Sequence, residues 1–222
     1  MVKKLIFPPR CPFCGRVEKN SRPCEKCLKS AKELSDAVCP KCGSFPEFCK
    51  CTSRSFSFKR NVSAFAYEGG PRLALLRFKE RNAPQLSEFM ANRMYHHIVG
   101  RYKTSFDAIT YVPQTRLKSL RRGYCPAEIL AGQLADRLHL PLIQPLMRVG
   151  NRQQKYLSAA GRYKNAGRNY ALCKNISLRG KVLLIDDLFT TGATLDACAS
   201  LLKKAGASEV CTATFCIAVK KS

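Results

Sequence analysis

Two kinds of residue in this chain could do chemistry: neighbouring carboxylates and paired thiols. Between Val182 and Leu195 the sequence reads VLLIDDLFTTGATL. A short apolar run enters two adjacent acids, Asp186 and Asp187. A loop of small and hydroxyl-bearing residues follows: Thr190, Thr191, Gly192, Ala193 and Thr194. Adjacent carboxylates repel each other, and burial makes ionising them costlier still. A chain with a formal net charge of +24 has placed them together, which implies a partner that wants them there. Small residues before a helix let backbone N–H groups converge. The threonine hydroxyls add donors, and the helix N-terminus favours an anion. A sugar phosphate satisfies both halves, with its 5′-phosphate in the loop and its ribose 2′- and 3′-hydroxyls on the acids. A Mg²⁺ ion shared by those hydroxyls and a pyrophosphate would supply the missing positive charge. Unlike a Walker loop, the 190–194 loop carries no Gly-Lys pair.

The thiols are concentrated elsewhere. Eight of the 13 cysteines lie between Cys11 and Cys51. Cys11/Cys14, Cys24/Cys27 and Cys39/Cys42 have two-residue spacers, and Cys49/Cys51 has one. Two cysteines three positions apart in a turn can aim both sulfurs at one cation, and two such pairs complete a tetrahedral thiolate site. CPFCG and CPKCG each place proline after the first cysteine and glycine after the second. Proline fixes the turn, and glycine accepts the left-handed backbone that follows. Eight sulfurs imply two zinc ions. A disulfide scaffold would need an oxidising compartment that the sequence does not signal; an iron–sulfur cluster is the other competing use. Sequential pairing (Cys11, Cys14, Cys24, Cys27, then Cys39, Cys42, Cys49, Cys51) closes shorter loops, and interleaved pairing stays open. Four thiolates leave no position for a reacting water, so these metals would be structural. A module this small has little core without them. Cys125, Cys173, Cys198, Cys211 and Cys216 read as ordinary thiols, mostly core.

Charge supplies a third signal. Lys and Arg number 39 against 15 Asp and Glu, an excess that attracts polyanions. No acid occurs between Asp136 and Asp186. That stretch holds Arg152, Lys155, Tyr156, Arg162, Tyr163, Lys164 and Arg168, with tyrosines at 156, 163 and 170. Basic side chains beside aromatics can track the backbone of single-stranded DNA and stack its bases. The competing reading makes the tyrosines core and the charges merely solvated. Apolar residues at 45% are enough for a packed core. No apolar stretch approaches the ~18 residues of a membrane span, and the first seven residues are too short for a secretory signal. These features point to a cytoplasmic protein.

The elements that must position these residues follow from composition and period. Residues 1–56 are cysteine-rich and poor in aliphatics, a zinc-binding module; residues 57–222 alternate strand-like and helix-like stretches. Phe58–Tyr67 reads as a strand-pair region. PRLALLRFKERN is a short helix carrying Lys79 into a basic loop, and Ser87–Val99 is helical. His96 and His97 near its end point to different faces. FDAITYVP is a buried strand, and QTRLKSLRRGYCP a basic loop. A helix runs from Pro126 to Leu138, and Leu140–Ile143 is a further strand. KVLLI is a strand that ends at the acids. Thr194–Ala205 is an amphipathic helix, and Glu209–Val219 a last strand. Strands alternating with helices imply an α/β fold with a mostly parallel sheet covered on both faces, and in such sheets ligands bind at the carboxyl ends of strands.

The 182–195 segment resembles the phosphoribosyl-diphosphate (PRPP) motif of type I phosphoribosyltransferases: hydrophobics, both acids, TTG and the final threonine in order. The whole chain resembles the ComF family. The likeness rests on the N-terminal cysteine module, Lys79 in LRFKERN, RLKSLRRGY after a Val-Pro strand end, and QKYLSAAGRYKNAGRNY ahead of the PRPP motif. Family members usually carry Gly-Phe-Asn-Gln after the paired arginines; here Gly123, Tyr124, Cys125 and Pro126 stand there. The resemblance implies a double zinc ribbon on a type I phosphoribosyltransferase-like domain, associated with DNA uptake in natural competence. It implies that Asp186 and Asp187 hold the ribose and 190–194 the 5′-phosphate. It puts Lys79 where such folds carry a pyrophosphate-binding loop, and Arg121 and Arg122 on a loop that covers the site. The partners implied are PRPP, single-stranded DNA and other DNA-uptake proteins. The alternative is a metabolic phosphoribosyltransferase acting on an unidentified base or amine. No acceptor pocket is legible, so transfer itself is not assigned.

Overall fold

The computed structural model describes residues 8–34, 38–49, 51, 55–149 and 169–219. The frame is a four-stranded, wholly parallel sheet: β1 (Asn61–Ala66), β2 (Ala108–Tyr111), β5 (Lys181–Phe189) and β6 (Glu209–Ile217), in the order β1-β6-β5-β2. The alternation of side chains along β5 divides the interior in two. Leu183 and Ile185 pack with Met90 and Met94 of α3 (Leu86–Arg101) and with Leu130 and Leu134 of α5 (Pro126–Leu138). Val182 and Leu184 pack on the other face with Leu195, Cys198 and Leu202 of α6 (Ala193–Lys204). Helix α2 (Gly69–Glu80) lies with the first group and buries Ala74, Leu75 and Phe78 there.

Both sheet edges are covered. Along the outer edge of β1, Leu34 N–H donates to Ala64 O, Ala66 N–H to Lys32 O, and Asn61 N–H to Lys41 O. The cysteine-bearing segment, with its short helix α1 (Glu25–Lys29), therefore acts as the strand's missing neighbour. Along β2, Ile109 N–H donates to Pro141 O, and Ile143 N–H returns to Ile109 O.

Four elements differ from the sequence expectation. Leu140–Ile143 is not a strand; it makes one isolated bridge, Ile109 to Leu142. The Phe58–Tyr67 region forms one strand rather than a pair. The basic stretch after Pro113 contains helix α4 (Arg116–Arg122). RLKSLRR holds good helix formers and no β-branched residue. Thr115 caps it by accepting from Lys118 N–H at 3.4 Å, and Gly123 ends it in the left-handed region at φ 81°. Strand β5 does not stop at the acids. It continues to Phe189 because β6 offers partners as far as Ile217. Asp186 and Asp187 are thus strand residues, and alternation turns them to opposite faces.

A small antiparallel pair, β3 (Leu146–Arg148) and β4 (Tyr170–Leu172), packs beside α6. In chain order the two strands precede and follow the basic, tyrosine-bearing stretch. The candidate DNA-binding residues Arg152, Lys155, Tyr156, Arg162, Tyr163, Lys164 and Arg168 lie outside the described residues. Among the described residues no helix is long and apolar enough to cross a membrane.

Candidate functional site

At the carboxyl end of β5 the two acids meet different neighbours. Asp187, 7% exposed, accepts from Lys79 Nζ at 2.6 Å. Lys79 is in the last turn of α2, not in a loop, because the helix continues to Glu80. Burial works against the lysine's charge. Asp187 beside it, with Asp186 adding, outweighs burial and holds its pKa above the ordinary lysine value. Asp186 is less well served. Burial pushes its carboxyl up, and the charge of Asp187 adds to that. Lys79, the Asp187 N–H at 2.8 Å and Arg148 offset this only in part, leaving it at about 7.

The loop after β5 runs from an exposed Thr190 to a buried Gly192 and Ala193 at the N-terminus of α6. Gly192 caps that helix at φ 78°, and a Cβ there would lie 2.8 Å from the Phe189 ring and 2.9 Å from the Phe56 ring. Thr191 Oγ1 accepts from Ala193 N–H at 3.4 Å. The loop thus presents a helix N-terminus within a few residues of two carboxylates, one of them carrying a lysine. An anion fits the first and hydroxyl donors fit the second.

The structure brings Asp186, Asp187, Lys79 and the 190–194 loop to one end of the sheet. It does not turn the paired arginines toward the acids. Arg121 is exposed on α4. Arg122 Nε donates to Lys79 O at 2.5 Å and Arg122 Nη1 to Gln114 Oε1 at 3.1 Å, so Arg122 ties α4 to the end of α2. Tyr124 donates its hydroxyl to Phe78 O. Cys125, Cys198, Cys211 and Cys216 are buried thiols, and Cys173 is half-buried. His97 pairs with Glu33 at 2.9 Å while His96 packs edge-on to Tyr95, so the two histidines diverge.

Two residues at the site were not legible as such. Arg148 donates to the Tyr170 hydroxyl at 2.7 Å, and Tyr170 reaches Thr194 of the loop. Tyr170 had a signal, the seven-residue recurrence of tyrosines, but that signal suggested base stacking. At 5% exposure it is instead a core residue beside the 190–194 loop.

The eight N-terminal thiols form two clusters, and the pairing is sequential: Cys11, Cys14, Cys24 and Cys27 in one, Cys39, Cys42, Cys49 and Cys51 in the other, with the sulfurs of each within 4.8 Å of one another. Cys14 and Cys24 sulfurs are 3.8 Å apart, and those of Cys42 and Cys49 3.7 Å. In the second cluster the Cys39–Cys51 and Cys49–Cys51 sulfurs are at 3.3 and 3.1 Å. An ion with metal–sulfur bonds of about 2.3 Å separates tetrahedral sulfurs by about 3.8 Å, so both donor sets fit a four-thiolate cation. The thiols also differ in acidity. Burial acts upward on Cys11, but the N–H groups of Cys24, Cys14 and Phe13 outweigh it and hold that thiol at about 7. Cys39 is held at about 6 against burial by the N–H groups of Cys42 and Lys41. Burial pushes Cys27 and Cys42 up.

Residues 2–58 match the family model of the double zinc ribbon domain, and residues 120–222 that of the phosphoribosyl transferase domain. Competence protein F of Haemophilus influenzae is 30% identical over 221 residues, covering 92% of this chain and 95% of that protein. This chain belongs to the competence protein F family. Within the family, competence protein ComFC of Bacillus subtilis is 27% identical over 216 residues, covering 90% of this chain and 85% of its own. DNA utilization protein YhgH of Escherichia coli K12 is 26% identical over 202 residues, covering 84% and 86%. The fold is the family's: a type I phosphoribosyltransferase-like parallel sheet flanked by helices, with an N-terminal pair of zinc-ribbon-like cysteine clusters.

Proposed function

We propose that this chain binds PRPP with Mg²⁺ at the end of β5 and serves the handling of incoming single-stranded DNA in the cytoplasm during transformation. One observation carries the PRPP reading: a phosphate-type loop, 190–194, begins three residues after two carboxylates at the carboxyl end of a central parallel strand. In this reading Asp186 and Asp187 take the ribose hydroxyls, and the loop takes the 5′-phosphate. Lys79 takes the pyrophosphate, and Arg121 moves over the ligand. Mg²⁺ is held through the ligand's own oxygens and offsets the charge that Asp186 resists carrying. Each cysteine cluster holds one structural zinc ion, in a module of residues 1–56 on a domain of residues 57–222. The DNA role rests on the names of the relatives and on the acid-free, basic stretch.

Calorimetry with PRPP and Mg²⁺ tests the site. Asp186→Asn with Asp187→Asn should weaken binding at least tenfold; an unchanged affinity overturns the assignment. Fluorescence anisotropy across a salt series tests the DNA role. A single-strand slope of about −0.7 per phosphate contact is expected, flattened by charge reversal at Arg162 and Arg168. Absence of binding at low salt makes the metabolic transferase the better reading. Pyrophosphate release over a panel of bases and amines tests that alternative.

A further inference from the structure

The cysteine clusters do more than fold their own segment. We infer that each is the positioning support of one half of the candidate ligand site: the first holds the helix that carries Lys79, and the second holds the 190–194 loop. The inference deepens the PRPP reading and rests on it for the naming of the two halves.

The first cluster packs on the α2 side of the sheet. Cys11, Cys24 and Cys27 share a core with Phe13, Phe78, Ala74 and Leu75. Its turn is gripped by α2 at two places. Arg77 Nη1 donates to Cys11 O, Pro12 O and Phe13 O at 3.1–3.3 Å. At the other end of the helix, Gly70 N–H donates to Ser30 Oγ at 3.1 Å, and Ser30 Oγ in turn donates to Cys27 O at 3.0 Å. The fit there is close: a Cβ at Gly70 would lie 2.7 Å from Phe13 and 3.0 Å from Cys27 O. Lys79 is two residues beyond Arg77. Any looseness in the first cluster therefore reaches Lys79 and its contact with Asp187.

The second cluster packs on the α6 side. Cys42 and Cys51 share a core with Phe58, Phe189 and Leu195. From there two links run to the loop. Lys41, between Cys39 and Cys42, lies over the Phe56 ring at 5.8 Å, and that ring would meet a Cβ placed on Gly192. Phe56 stacks on Phe58 at 4.5 Å, and both meet Phe189 edge-on. Ser57 N–H donates to Asp196 Oδ1 at 2.5 Å, in the first turn of α6. Segment 56–58, a few residues past Cys51 of the second cluster, thus forms one wall of the loop.

The test uses the full chain with its metal and two pairs of variants. Arg77→Ala, and the milder Ser30→Ala, which removes the hydroxyl between Gly70 N–H and Cys27 O, cut the first link. Phe56→Ala, and the milder Lys41→Ala, cut the second. Hydrogen exchange should rise in 69–80 and not in 189–196 for the first pair, and the reverse for the second. Calorimetry should show a crosswise split: about tenfold weaker pyrophosphate binding with ribose 5-phosphate unchanged for Arg77→Ala, the opposite for Phe56→Ala, and a shift of about two- to fivefold in the same sense for each milder variant. If either variant of a pair loosens both halves, or neither, the inference is overturned. If the exchange pattern holds but the unmodified protein binds neither probe, the PRPP reading fails while the two supports stand.

Discussion

The two Cys-Pro-x-Cys-Gly turns are near copies in backbone and differ in what they grip. In both, the glycine N–H donates to the first cysteine's carbonyl at 2.9 Å: Gly15 to Cys11 and Gly43 to Cys39. Both glycines are left-handed, at φ 82° and 74°. In both, the first cysteine's N–H closes the turn, onto Arg16 O at 2.8 Å and Ser44 O at 2.7 Å. The divergence is at the third position. Phe13, 1% exposed, is driven into the core, edge-on to Phe65 at 5.8 Å and to Phe89 at 5.3 Å. Lys41 stays half-buried and bridges to Phe56. The anchoring chemistry differs as well. An arginine side chain collects the first turn's carbonyls. The second turn is bonded to β1, where Asn61 N–H donates to Lys41 O at 2.9 Å and Asn61 Nδ2 to Cys42 O at 3.0 Å. One motif has thus been fastened to two faces of a sheet by changing one residue and one partner.

The comparison is broken most severely by removing a ligand. Cys11→Ser and Cys42→Ser should each lose one of two metal ions by elemental analysis and lower the melting temperature far more than Cys173→Ser, because metal binding is folding energy here. An equal metal content in all three would refute the twin-site account. Next is Phe13→Ala, expected to cost about 3–5 kcal/mol by denaturant unfolding for a fully buried ring. Lys79→Met should cost about 3 kcal/mol, since it leaves Asp187 charged, buried and unpaired. Asp187→Asn in the same chain should restore most of that loss.

Asp186 gives a pH-dependent test. Its carboxyl is near 7 in the folded chain, against 3.8 for the ordinary carboxyl. The folded state therefore holds this proton more tightly than the unfolded chain, and stability falls as pH rises between those values. The melting temperature of Asp186→Asn minus that of the parent should grow from about pH 4 to 7 and level off above. A flat difference refutes the buried, proton-holding acid. The smallest effect is Lys41→Ala, about 0.5–1 kcal/mol for a half-exposed cation over a ring. A loss as large as that of Phe13→Ala would erase the distinction between the turns.

What the sequence revealed follows the same division between local and distant causes. The two clusters of four thiols were legible because spacing alone brings sulfurs together, and α5 was legible from Pro126 and its apolar stripe. The acids and loop were legible because their order along the chain is their order in space. Helix α4 was missed because its arginines and lysines suggested a loop, while the cap at Thr115 is a single hydroxyl. The extension of β5 past its acids depends on β6, some thirty residues away in the chain. Arg122's turn toward Lys79 O depends on where α2 ends. None of these leaves a periodic trace in its own segment.

The bonds along β1 carry a consequence for solubility. Leu34 and the main chain at Lys32 and Lys41 occupy hydrogen-bonding groups that an edge strand otherwise offers to any passing chain. The strand beneath, Asn61–Ala66, is buried along its whole length and holds no charged residue. Such a segment templates intermolecular pairing when uncovered. Chelated protein should therefore aggregate through β1 while the rest of the sheet is still folded, and light scattering after metal removal should rise before the far-ultraviolet signal of the helices falls.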